Sequence, residues 1–292
     1  MMPKLLVTGA SGFLGWNLCQ LAAKDWHVYG TFFSHAIALP GITALKLDVR
    51  DFQQVKAVFQ QLQPDAVIHL AAMSSPNACQ VQPEESHLLN VTVAWNVAGL
   101  CSDRALPFVF TSTDLVFDGL NPPYKETDRV APVNRYGEQK VEAEVGILQR
   151  YPMAAVCRMP LMFGAAPPPA QSFLQGFVQT LREQRSLKLF TDEFRTPTSA
   201  TTASHGLLLA LQNVQGLIHL GGKERISRYD FGCLMAERLH LPTHGLQACR
   251  QQDVPMAAAR PSDVSLDSSN AFAIGYAPPS LSAELDALKG QV

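Results

Sequence analysis

Tyr136-Gly137-Glu138-Gln139-Lys140 puts a phenol and an ammonium four residues apart, on one face of any helix that contains them. A tyrosine at its ordinary pKa of about 10 is a poor proton donor or base at neutral pH, and a cation one turn away is expected to lower it. Upstream, Phe110-Thr111-Ser112-Thr113-Asp114 offers hydroxyls, of which Thr113 is the candidate to hold a carbonyl oxygen while Tyr136 donates its proton. A third group lies near the start of the chain. Thr8-Gly9-Ala10-Ser11-Gly12-Phe13-Leu14-Gly15 spaces three glycines by two residues each. That pattern provides a sharp turn, a backbone able to approach a pyrophosphate, and a helix N-terminus aimed at its charge.

The elements that must position these groups are legible in the hydrophobic periodicity. Lys4–Val7 reads as a strand, followed by a helix to about Lys24; His27–Phe33 and Ala44–Leu47 read as two further strands. Asp51–Leu62 has helical spacing, and Asp65–Leu70 suits a buried strand. A long helix is expected after Pro83, with Glu84 and Glu85 at its positive end. Then come a strand at Pro107–Ser112, a helix at Asn134–Arg150 and a strand at Met153–Arg158. Strands alternating with helices at this spacing imply an α/β fold. The expectation is a Rossmann-type doubly wound parallel sheet with a smaller C-terminal α/β substrate lobe. Residues 1–158, joined by about 196–215, are assigned to the dinucleotide-binding domain. Residues 159–195 and 216–292 are assigned to the substrate-binding lobe.

Composition narrows the function classes. The 292 residues are 47% hydrophobic and 16% charged with a formal net charge of −2, without a basic block, so no nucleic-acid or anionic-membrane partner is expected. No apolar run reaches the ~20 residues of a membrane span. The six cysteines are scattered, as suits reduced thiols, and the N-terminus runs directly into a strand, so a cytoplasmic location is expected. His240 and His244 have a metal-like spacing, but Pro242 breaks any shared helical face, and no metal is expected.

The glycine spacing resembles the extended short-chain dehydrogenase/reductases. So do Asp48-Val49 after the third strand and His69-Leu70-Ala71-Ala72 at the end of the fourth. Ser112-Thr113-Asp114-Leu115-Val116-Phe117-Asp118-Gly119, Tyr124-Lys125-Glu126-Thr127-Asp128 and Pro132–Lys140 narrow the likeness to the dTDP-4-dehydrorhamnose reductase family. Arg158-Met159-Pro160, Arg195-Thr196-Pro197-Thr198, Arg260-Pro261 and Leu266-Asp267-Ser268-Ser269 follow in that family's order. The resemblance implies a nicotinamide cofactor held by Gly9, Ser11, Gly12, Phe13, Leu14, Gly15, Asp48, Val49, Leu70, Ala71 and Ala72. It implies Thr113, Tyr136 and Lys140 as the catalytic trio, with Tyr136 and Lys140 also touching the cofactor. Met73, Ser74, Thr113, Asp114, Val116, Phe117, Arg195 and Arg260 would face a sugar-nucleotide substrate, the two arginines suiting its diphosphate. His69 is read as structural.

At the end of the second strand, Gly30-Thr31-Phe32-Phe33-Ser34-His35 has no acid to bond both ribose hydroxyls, nor an Arg or Lys to clamp a phosphate. NADP(H) is therefore favoured over NAD(H), with Ser34 and His35 as donors to the 2′-phosphate. Hydride transfer to a 4-keto sugar nucleotide is the implied reaction. The alternatives are a non-catalytic dinucleotide-binding regulatory subunit of the same fold, like the methionine adenosyltransferase β subunit, and a sugar-nucleotide epimerase. A 4,6-dehydratase would need Glu after Asp114, where Leu115 stands. The family also carries Tyr at that position, and Leu161–Pro169 departs from its polar and aromatic pattern, so the identity of the sugar stays open. The long helices after Pro83 and at Asn134–Arg150 suggest a homodimer.

Overall fold

The computed structural model describes residues 2–36, 38–166, 170 and 172–292; the triple proline Pro167–Pro169 lies outside the described residues. The first half contains β1 (Lys4–Thr8), α1 (Phe13–Ala22), β2 (His27–Phe32), β3 (Ile42–Lys46), α2 (Phe52–Leu62) and β4 (Ala66–His69). It continues with α3 (Pro76–Val81), α4 (Pro83–His87), α5 (Val93–Ser102), β5 (Phe108–Thr113), α6 (Arg135–Arg150) and β6 (Ala155–Met159). The second half contains β7 (Met162–Phe163), α7 (Phe173–Arg182), β8 (Leu187–Phe190), β9 (Phe194–Arg195), β10 (Thr198–Ser199) and α8 (Ala200–Asn213). It ends with β11 (Gly216–His219), β12 (Ile226–Ser227), α9 (Arg228–Arg238), β13 (Leu246–Cys249), α10 (Ser269–Ala273) and α11 (Leu281–Asp286).

A seven-stranded sheet in the order β11-β6-β5-β4-β1-β2-β3 is parallel throughout, which makes the fold α/β and Rossmann-like. Side chains alternate across it. Leu5 and Val7 of β1 join a core with Leu18 of α1 and Leu207 of α8, while Leu6 meets Phe59 of α2, Val97 of α5 and Ile147 of α6 on the other face. With both faces covered, the strands carry the continuous apolar runs expected of buried parallel sheets. Strand order reverses between β1 and β4, and the carboxyl ends there open the crevice in which such sheets bind ligands.

Pro83 does begin a helix, with Glu84 and Glu85 in its first turn. The long helix expected there runs from Pro83 to Ser102, with a π-helical turn at Leu88–Thr92 joining α4 to α5. A smaller core of Phe163, Leu174, Leu189, Phe231 and Leu285 gathers α7, β8, α9 and α11 into the C-terminal lobe. The expected boundary at residue 216 is corrected: β11 is the outermost strand of the main sheet, paired with β6. Gly216, with φ +82°, makes the turn that brings the chain from α8 back alongside β6. Among the described residues no helix is long and apolar enough to cross a membrane.

Candidate functional site

The glycine loop joins β1 to α1 under tight steric limits. A Cβ on Gly9, whose φ is +70°, would lie 2.8 Å from the Ala71 nitrogen, and one on Gly15 would lie 2.3 Å from the Gly9 carbonyl oxygen. Both positions need glycine for the loop to close against β4 and for α1 to pack on it. Gly12 starts α1 without a side-chain cap, leaving its first N–H groups to the crevice. Thr8 ties the two strand ends together: its Oγ1 accepts from the Leu70 N–H at 3.2 Å and pairs with His69 Nδ1 at 2.7 Å. Burial, helped by the Lys140 charge, pushes His69 down to about 3, so it is a neutral structural histidine.

Along this loop runs a groove of about 480 Å³, a volume typical of small-molecule sites. It is lined by Gly9, Ser11, Gly12, Phe13, Leu14, Gly15, Asp48, Val49, Leu70, Ala71, Ala72, Ser74, Tyr136 and Lys140, all of them sequence candidates. The cradle, the uncapped helix and the unpartnered Ser112 hydroxyl on the wall fit an extended dinucleotide. Ser34 and His35 do not line it; their side chains pair with each other at 2.8 Å on the surface.

Helix α6 carries the phenol and the amine. Asn134 caps it, accepting from the Gly137 N–H at 2.9 Å, and Gly137 lets the helix press on the 3₁₀ turn after β5: a Cβ there would lie 2.2 Å from the Leu115 carbonyl oxygen. Lys140 is only 2% exposed; its Nζ donates to the Thr111 carbonyl at 2.9 Å and lies 4.5 Å from the Phe110 ring centroid. Burial lowers its pKa to about 8, with the Glu144 carboxylate opposing the shift. Tyr136 is 7% exposed and is pushed above the ordinary phenol range by burial, then by the Asp114 and Cys79 charges. Thr113 and Arg195 act against that rise. The expectation that Lys140 lowers this pKa is corrected. Nζ stands 5.9 Å from the Tyr136 ring centroid, with one of its three donors on the Thr111 carbonyl, and burial dominates the shift of the phenol, which keeps its proton.

Behind the trio lies a buried charge cluster. Thr113 Oγ1 donates to Asp114 Oδ1 at 3.2 Å and accepts from the Leu115 N–H at 3.2 Å. Arg195 donates to Asp114 Oδ1 at 2.7 Å and reaches Glu193 at 3.4 Å, and Glu193 also meets Arg228 at 3.4 Å. Burial raises the Asp114 carboxyl, and Arg195 holds it back. Arg195 is thus an interior ion-pair partner, not an exposed phosphate ligand. Arg260 is half-buried and donates to Asn77 Oδ1 at 3.1 Å. Val116 and Phe117 are corrected outright: both are fully buried with Tyr124, Val264 and Leu266, and Phe117 stacks on Tyr124 at 4.1 Å. Met73 is fixed through its backbone, its N–H bonded to Asn90 Oδ1 at 2.9 Å.

Several groups escaped the sequence reading. Arg50 lines the groove from a segment with no motif of its own, while Phe33, Glu85 and Ser112 line it from segments already singled out for other residues. Arg50 follows Asp48-Val49 directly, so its proximity was the available signal. Asn90, on the π-helical turn, donates to Gln139 Oε1 at 2.9 Å and to the Met73 carbonyl at 3.1 Å, tying α6 to the crevice. Glu144, one turn beyond Lys140, accepts from Arg158 at 3.0 and 2.7 Å in a buried pair.

The chain is similar to known proteins. A family model described as the RmlD substrate binding domain matches residues 2–288. Methionine adenosyltransferase 2 subunit beta of Xenopus laevis is 31% identical over 280 residues, covering 93% of this chain and 82% of that protein. The probable low-salt glycan biosynthesis reductase Agl14 of Haloferax volcanii is 30% identical over 289 residues, covering 97% and 96%. The crystal structure of a hypothetical dTDP-4-dehydrorhamnose reductase from Sulfolobus tokodaii matches with a TM-score of 0.82 at 30% identity, covering 93% and 94%.

Proposed function

Because the chain belongs to the RmlD substrate binding domain family, we propose that it is an NADP(H)-dependent reductase of a 4-keto sugar nucleotide. The observation that carries this reading is a buried, protonated Tyr136 on the wall of the groove, one helical turn from Lys140. When bound, the dihydronicotinamide supplies a hydride. Gly9, Gly12 and the start of α1 hold the pyrophosphate, and Lys140 holds the ribose. Tyr136 Oη delivers its proton to the substrate carbonyl oxygen, which the Thr113 hydroxyl positions by turning its single donor from Asp114 to that oxygen. Burial that keeps the phenol protonated favours this direction. A C4 epimerase must first take a proton with the phenolate, the form that burial disfavours.

The regulatory reading is favoured by a different observation: the 31% identity to methionine adenosyltransferase 2 subunit beta over most of both chains. Turnover separates the two. NADPH consumption is followed with a panel of 4-keto sugar nucleotides, for the native chain and for Tyr136→Phe. The reductase reading expects one ketone to be consumed and the variant to lose roughly 10²–10⁴-fold in kcat while still binding NADPH. Tight NADPH binding with no ketone reduced transfers the conclusion to the regulatory role.

A further inference from the structure

We propose that Arg50 is the residue that selects NADP(H) over NAD(H), an inference that rests on reading the groove as a dinucleotide site. The end of β2 supplies neither an acid for a ribose diol nor an Arg or Lys for a phosphate, and Ser34 and His35 pair with each other away from the groove. The cation comes from the neighbouring strand end instead. Arg50 follows β3 and lines the groove beside Phe33, its guanidinium carbon 4.8 Å from that ring's centroid.

Its fork is already oriented. Asp48 accepts from Nε and from Nη2, each at 2.9 Å, and from the Arg50 backbone N–H at 3.0 Å. The remaining nitrogen, Nη1, has one longer contact, to Glu85 Oε1 at 3.3 Å. That contact is exposed, with side chains 30% and 52% accessible, so it contributes little and exchanges at small cost. A 2′-phosphate would gain a charge-assisted bond from a guanidinium whose plane Asp48 has fixed, so little side-chain freedom is lost on binding. A 2′-hydroxyl gains much less from the same nitrogen. Glu85 acts in the other direction, since its carboxylate stands where it repels a phosphate.

Dissociation constants for NADPH and NADH, measured by titration calorimetry on the full chain at fixed ionic strength, test this. Arg50→Ala is expected to weaken NADPH roughly 10-fold or more and to leave NADH within about threefold. Glu85→Gln is expected to tighten NADPH and leave NADH unchanged. Arg50→Lys, which keeps the charge and loses the fork, should fall between the native chain and Arg50→Ala. Equal losses for both nucleotides in Arg50→Ala, or no loss for either, overturn the selector role and leave the groove reading standing. Tighter binding of NADH by the native chain also overturns it. A native chain that binds neither nucleotide overturns the groove reading, and this inference with it.

Discussion

Burial disfavours the charged form of both Tyr136 and Lys140, and their opposite shifts lead to an expected pH dependence of the site. Burial raises the phenol and lowers the ammonium, the latter to about 8. Below that pH the amine is charged and can hold ribose oxygens; above it the charge is lost. NADPH affinity should therefore be level at lower pH and weaken as pH rises through about 8. Glu144→Gln removes the carboxylate that favours the charged form, so it should move that midpoint to lower pH. Titrations of fluorescence against NADPH at stepped pH check both, and a flat profile would remove the Lys140 charge from cofactor binding. Stability has the reverse sign. Between about 8 and the ordinary lysine value of 10.5 the unfolded chain holds the extra proton, so the Lys140 contribution to stability rises with pH across that window.

At the level of elements, the site depends on how closely α6 lies against the end of β5. Gly137 sets that distance, because a side chain there meets the backbone carbonyl of Leu115, which has no room to yield. Gly137→Ala should cost about 1–3 kcal/mol in denaturant unfolding and lower turnover further by shifting Tyr136 away from Thr113. An unchanged unfolding midpoint would mean that the helix is not seated on that carbonyl. The π-helical turn at Leu88–Thr92 supports the same helix, since Asn90 reaches Gln139 from it. Such turns recur beside functional sites, and here the wider turn turns an amide inward.

At the scale of the whole molecule, the sheet and the C-terminal lobe meet around the buried ions Asp114, Arg195, Glu193 and Arg228, contributed by both halves of the chain. The outer face of α5 and α6 carries the half-exposed Trp95 and Val145, with the Trp95 ring packed on Gly146. This is the surface on which the homodimer expected from the sequence would form. Sedimentation analysis should give the mass of two chains for the native protein and of one for Val145→Glu. A native monomer would remove that expectation.

The sheet was legible because each strand and helix writes its own period: Leu5, Leu6 and Val7 alternate between two cores, and α2 and α6 repeat at helical spacing. The glycine loop and the Tyr136–Lys140 pair were equally local, as were the strand and helix that frame them. Two-residue strands such as β7, β9 and β10 carry no period, and β11 could be placed in the main sheet only by its pairing with β6. The same limit applies to the site. Arg50 reaches Phe33, and Arg195 reaches Asp114 from 81 positions away in sequence, through folding alone. Val116 and Phe117 stand in the same motif as Thr113 yet are fully enclosed with Tyr124, Val264 and Leu266. Sequence by itself determined the fold and the candidate groups for proton chemistry, because these follow from short-range spacing. Tertiary structure decided which charges face the groove, which are spent inside, and which way burial moves each proton, because those depend on neighbours brought in from distant segments.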